Sequence, residues 1–150
     1  MKLLTRDFNE IEIDEKNIIN FKDGIPGFDD LERFIIIANP DMDIPFKWLQ
    51  SVEQPELAFI ITNPFLFKED YEFNIPEHIL EKLNIKDEKD VLVYSVVVIP
   101  EDITKMTANL AGPIIINTRE KLGKQIVLDD NRYTTKHYIL ENAKAKGKEE

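Results

Sequence analysis

Thr107-Ala108-Asn109-Leu110-Ala111-Gly112-Pro113-Ile114-Ile115-Ile116-Asn117 decides the fold class of this 150-residue chain. A polar stretch ending in Gly-Pro separates two apolar runs, a pattern that predicts a strand, a tight reversal and a second strand. Gly112 has access to backbone angles closed to other residues, and Pro113 fixes φ and withholds an N–H. The chain is therefore read as sheet at this point, and the neighbouring segments are read against it.

Upstream, Glu10 to Asp14 alternates apolar and acidic residues with period two, as a strand with one wet face does. Arg33–Ala38, Leu57–Thr62 and Val91–Ile99 are short β-branched or aromatic runs bounded by Pro, Asn or Asp, and each reads as a buried strand. Ile114–Ile116 and Gln125–Leu128 add two more. One helix is predicted over about residues 76–84, capped by Asn74, with Pro76 and Glu77 in its first turn and Ile79, Leu80 and Leu83 as its apolar stripe. A second helical turn is expected near Asp102. Short strands, many turns and little helix predict a mainly β fold, a small antiparallel domain closed or nearly closed into a barrel, with one or two short helices. Closure also removes the open edges that such Ile- and Val-rich strands would expose.

At this length one domain is expected, burying about two-thirds of the surface of its unfolded chain. It is assigned to residues 1–140. Residues 141–150 lack a core-forming stripe and read as a frayed or disordered tail. The absence of cysteine removes disulfide and thiolate chemistry and fits a cytoplasmic protein. The N-terminus reaches charge too soon for a signal peptide, and the longest apolar run, Val91 to Pro100, is about half a bilayer span. No membrane segment is predicted.

The net charge of −10 is uneven. Residues 7–32 carry nine acids against two bases and residues 33–90 carry twelve against six, whereas residues 91–140 are close to neutral. An acidic body repels nucleic acid and favours basic protein surfaces; acidity at this level also serves solubility alone.

Catalytic and metal-binding patterns are missing. His78 and His137 stand in no metal-ligand spacing, and no nucleophile elbow, phosphate loop or dinucleotide fingerprint occurs. The pairs Asp29-Asp30 and Asp129-Asp130 admit a carboxylate dyad on paper, although adjacent acids in turns are ordinarily solvated. No enzyme activity, cofactor or metal is expected. What remains is a set of apolar residues in segments read as loops: Ile25 and Phe28 in Gly24-Ile25-Pro26-Gly27-Phe28, Trp48 in Pro45–Ser51, the aromatics of Phe65–Phe73, and Ile103. Aromatic anchors ringed by polar groups are typical of protein interfaces. An alternative is that Phe28, Phe46 and Trp48 line the mouth of a ligand-binding barrel.

Several of these segments, in order and register from about residue 3 to residue 140, resemble the flagellar assembly factor FliW family. They are Asp23–Phe28, Pro45-Phe46 with Leu49-Gln50-Ser51, Leu57–Ile60, Asn63-Pro64, Asp70-Tyr71, Thr107–Asn117, Gln125–Leu128 and Tyr133–His137. The resemblance implies a small β-barrel-like, non-enzymatic bacterial regulator that binds flagellin and the RNA-binding translational repressor CsrA. Free protein would hold CsrA away from flagellin mRNA without itself touching RNA, by a remote mode assisted by repulsion. Accumulated flagellin would take the protein back. The free protein is expected to be a monomer. For residue roles, Gly24, Pro26, Gly27, Gly112 and Pro113 are expected to form turns. Glu69, Asp70, Tyr71, Glu72 and Phe73, with Phe46 and Ile103 as apolar anchors, are expected to meet the partners.

Overall fold

Eleven short strands and one short α-helix carry the chain in the computed structural model, which describes residues 1–41 and 43–140. In chain order the strands are β1 (Lys2–Thr5), β2 (Asn9–Glu12), β3 (Ile19–Asn20), β4 (Arg33–Ile37), β5 (Phe46–Ser51), β6 (Ala58–Thr62), β7 (Val91–Val98), β8 (Thr107–Ala108), β9 (Ile114–Asn117), β10 (Leu122–Gln125) and β11 (His137–Tyr138). The helix α1 spans Glu77–Lys82. The expected tail, residues 141–150, lies outside the described residues.

Seven strands close a barrel in the order β7-β6-β5-β4-β3-β10-β9, with β9 returning to β7. Period-two alternation turns Phe34, Leu49, Ile61, Tyr94, Ile114 and Ile116 into its interior, and Phe21 joins them. Phe21, Phe34, Leu49, Ile61 and Ile114 are fully buried, so the interior is a packed core. Each such side chain contributes about 1.5–3 kcal/mol through burial. Ile115, one residue out of phase, points outward and is covered by Ile79 of α1 and by Leu83, just past its end. The β1–β2 hairpin covers Ile35 with Leu3 and Ile13.

The barrel is mixed. All its pairings are antiparallel except β3 with β10, which is parallel and joins Asn20 to Leu122. The Asn20 N–H donates to the Lys121 carbonyl at 2.9 Å. Two residues of β3 are too short a run to announce a direction, so the all-antiparallel expectation fails there.

The Thr107–Asn117 stretch is also corrected: it does not reverse. Both β8 and β9 run antiparallel to β7, with Val97 opposite Ala108 and Tyr94 opposite Ile114. Between those pairs, residues 95–96 of β7 face residues 109–113, so the Gly-Pro segment is an enlarged bulge in one line of chain. Its backbone groups find partners inside the fold. Asn109 N–H donates to Val96 O (2.9 Å), Leu110 N–H to Thr134 O (3.0 Å), Ile126 N–H to Pro113 O (3.0 Å) and Leu128 N–H to Ala111 O (2.8 Å). Gly112 sits closely but not obligatorily there: a Cβ would stand 3.0 Å from the side-chain amides of Asn109 and Gln125. Gly24 and Gly27, by contrast, have positive φ of 69° and 90° in the turn before β4.

Other expectations shift. Asn74 does not cap α1; Pro76 occupies the N-cap position without a side-chain bond, and the helix ends at Lys82. The turn near Asp102 is present, residues Ile103–Lys105, with the Asp102 carboxylate accepting from Thr104 N–H. The Pro45–Ser51 loop is mostly strand β5. Trp48 lies outside the barrel, edge-on to Phe8 at 4.7 Å, and Phe28 packs on Phe59 at 5.5 Å. Phe28, Phe46 and Trp48 thus do not share a mouth. The last barrel strand before the C-terminal segment is Leu122–Gln125 rather than Gln125–Leu128. Residues 126 and 128 follow it as extended chain bonded to the bulge.

Candidate functional site

Asn63-Pro64 starts the segment that carries most of the expected contact residues. The Asn63 side chain accepts from Phe65 N–H and Pro64 opens a 3-10 turn, where its missing N–H costs nothing. A further backbone bond from Tyr71 N–H to Lys68 O (3.0 Å) tightens the chain again. The result throws Glu69 and Asp70 into solvent and drives Tyr71 inward.

Tyr71 is 3% exposed, which corrects its reading as a surface anchor. Its hydroxyl donates to the Leu110 carbonyl at 2.6 Å, inside the bulge. Its ring meets Tyr133 edge-on at 4.7 Å and Phe73 at 5.2 Å. Tyr133 OH accepts from Glu72 N–H at 3.0 Å. Burial pushes the Tyr71 hydroxyl well above the usual tyrosine range, so it remains a donor. Phe73 is half-buried in the same cluster. Tyr71 and Phe73 are therefore struts, and the acids between and before them are the surface. Their alternation in sequence was legible, but which set faced water was not, because the deciding partner carbonyl lies 39 residues away.

Around the strut lies a field of carboxylates. Glu69, Asp70, Glu72 and Asp129 are exposed. Lys68 holds Asp70 below the usual carboxylate range by a 2.7 Å hydrogen bond. Arg132 does the same to Asp130, reaches Glu72 at 3.1 Å, and stacks 5.1 Å from the Tyr133 ring. Arg132 and Tyr133 were given no role from sequence, and Asp130 was weighed only as half of a carboxylate pair. Tyr133 does occur in one of the resembling motifs, and that was the available signal. A carboxyl group pinned ionised by a guanidinium is a poor proton donor, which disfavours the Asp129-Asp130 dyad. Among the described residues no cluster of three His, Cys, Asp or Glu could hold a metal ion, and no helix is long and apolar enough to cross a membrane.

Exposed apolar side chains gather where β7, β8 and β11 meet. Sheet register sets Val98, Thr107 and Tyr138 side by side across β7, β8 and β11. Val98 is 60% exposed, Ile103 on the neighbouring turn 59%, and Tyr138 is exposed as well. Alternation turns His137 to the opposite face from Tyr138, where burial and then the charge of Lys68 hold it below the usual histidine range. Phe46 does not join this surface directly. It is half-buried against Phe67 at 6.4 Å, in the cluster that also contains Met106 and Ile139. Gly24, Pro26 and Gly27 stand in the turn before β4, and Gly112 and Pro113 in the bulge behind Tyr71.

A family model described as FliW protein matches residues 2–139. The chain belongs to the FliW family. It is 57% identical over 141 residues to the flagellar assembly factor FliW of Alkaliphilus metalliredigens, covering 94% of this chain and 87% of that one. It is 46% identical over 144 residues to the FliW of Caldanaerobacter subterraneus subsp. tengcongensis, covering 96% of each. A crystal structure of the flagellar assembly factor FliW superposes with a TM-score of 0.86 at 38% identity, covering 93% of this chain and 96% of that one. These relatives are described as flagellar assembly factors.

Proposed function

We propose that this FliW-family chain acts in flagellar assembly as a partner-switching antagonist. It binds flagellin and, when free, binds the RNA-binding translational repressor CsrA, relieving repression of flagellin mRNA translation in the cytoplasm. The observation that supports this best is the acidic field of Glu69, Asp70, Glu72 and Asp129, exposed around a buried Tyr71–Leu110 strut. An exposed array of acids suits a basic protein surface, where complementary charge speeds encounter and fixes register.

RNA exclusion by such a surface is short-ranged. At about 0.15 M salt the Debye length is ~8 Å, so repulsion acts only on phosphates close to the docked protein. A remote mode, in which the antagonist binds away from the RNA site and raises the free energy of holding RNA nearby, fits that range. Mixing the three proteins tests the reading. CsrA and flagellin should each co-elute with this chain at sub-micromolar affinity, on the order of −8 kcal/mol. Added flagellin should displace CsrA. No complex with either partner removes the proposal.

A further inference from the structure

A second surface, apart from the acidic field, is built by the way β6 leaves the barrel. Ile60, Ile61 and Thr62 pair with Val97, Val96 and Ser95. Continued in register, Pro64 would stand opposite Val93, but Pro64 has no N–H to give, and the chain turns away into the 3-10 turn of residues 64–66. Residues Val91–Tyr94 of β7 then pair with β9 alone. A cavity of about 660 Å³ opens where β6 would have run, within the range of ligand clefts.

All four residues from Val91 to Tyr94 line this cleft. Side chains of a strand alternate between faces, so consecutive lining residues mean that the backbone edge itself is the wall. Hydrogen bonds fix which groups it presents. Asp90 and Val96 turn their carbonyls to Thr118 and Asn109, on the β8–β9 side. By alternation Val93 turns its N–H and C=O, and Val91 its C=O, toward the cleft. Facing that edge are the exposed side chains of Ile44, Phe65 and Leu66.

Lys47, Asn39 and Asn63 bring donors to the rim of the cleft. Lys47 lies 5.9 Å from the Tyr94 ring centroid and has no carboxylate partner among the described residues, notable in a chain of net charge −10. Asn39 and Asn63 commit their side-chain oxygens to the N–H groups of Asp41 and Phe65, leaving their amide NH₂ groups. We infer that this cleft takes an extended, apolar peptide segment of a protein partner, carrying an acidic residue, by adding it as a strand along the free Val91–Tyr94 edge of β7. The segment takes the line that β6 vacates, its backbone bonding to Val93 and its acid meeting Lys47. A small anionic molecule would use the lysine but leave the edge unpaired.

The test uses fluorescence anisotropy with a blocked, fluorescein-labelled hexapeptide of valine and threonine containing one central aspartate, and a counterpart with lysine at that place. The aspartate peptide should bind saturably, about tenfold more tightly than the lysine peptide. Lys47→Glu should invert that preference. Val93→Pro, a substitution an edge strand accepts because its N–H faces outward, should abolish binding of both peptides while circular dichroism remains unchanged. No saturable binding up to about 1 mM, or equal binding of the two peptides by both the wild type and Lys47→Glu, overturns the inference. Concentration-dependent self-association that Val93→Pro removes, without peptide binding, also overturns it and gives the edge to a second copy of the chain.

Discussion

Tyr71 and Leu110 are joined by a 2.6 Å hydrogen bond from the phenol to the main-chain carbonyl, and this bond ties the acidic segment to the bulge of the barrel wall. Both residues are buried, so water cannot replace the donor once it is removed. Tyr71→Phe keeps the ring edge-on to Tyr133 and removes only the hydroxyl. A loss of about 1–3 kcal/mol in unfolding free energy is expected, the cost of an unsatisfied buried carbonyl. Urea denaturation checks it, and an unchanged midpoint would mean the bond is dispensable.

Glu72→Lys addresses the surface instead. Glu72 is exposed and its partner Arg132 keeps Asp130, so the fold should tolerate the change. Thermal unfolding should move by no more than a few degrees, whereas affinity for the basic partner should fall markedly, and more at low salt than at high. Parallel loss of stability and binding would instead make the segment structural.

Two glycines in the barrel wall should respond differently to alanine. At Gly112 a Cβ meets the flexible amides of Asn109 and Gln125 at 3.0 Å, and a small adjustment relieves it. At Gly123 it meets the fully buried Phe21 ring at 2.6 Å. Gly112→Ala should change stability by less than about 1 kcal/mol, and Gly123→Ala should cost about 1–3 kcal/mol or more. Equal effects in calorimetry would contradict the packing described for Phe21.

These contrasts show what the sequence could and could not convey. The runs of β4, β6, β7 and β9 were legible because long stretches of Ile and Val have few other uses in a chain of this size. Strand β5 was not, because Pro45, Lys47 and Gln50 break its apolar pattern. Gln50 is nevertheless buried, its amide held by the carbonyls of Ser51, Pro55 and Leu57 at 3.0 Å each. Local spacing cannot reveal such a satisfied polar residue. The Gly-Pro bulge was misread as a reversal because turn chemistry is the same in both; only the partner strand tells them apart. At the site, the acids were legible and the inward turn of Tyr71 was not.

His137 gives a pH prediction. Burial, and secondarily Lys68, lower its folded pKa below the unfolded value of about 6.5. The unfolded chain therefore binds the proton more readily, and the stability linked to neutral His137 is fully present above about pH 6.5 and is lost as pH falls through the folded value. NMR titration should place the His137 midpoint below about 6.5, and Lys68→Met should raise it by removing a neighbouring positive charge. A midpoint above the unfolded value would reverse the argument.

The central claim, that acids held on the Tyr71 strut recognise a basic partner, is tested most directly by calorimetric titration of CsrA into the wild-type protein and into a Glu69→Lys, Asp70→Lys, Glu72→Lys triple variant whose circular dichroism and melting are first matched to wild type. The account predicts sub-micromolar binding by the wild type and a loss of about a hundredfold or more in the variant. Equal affinity of the two folded proteins for CsrA would contradict it.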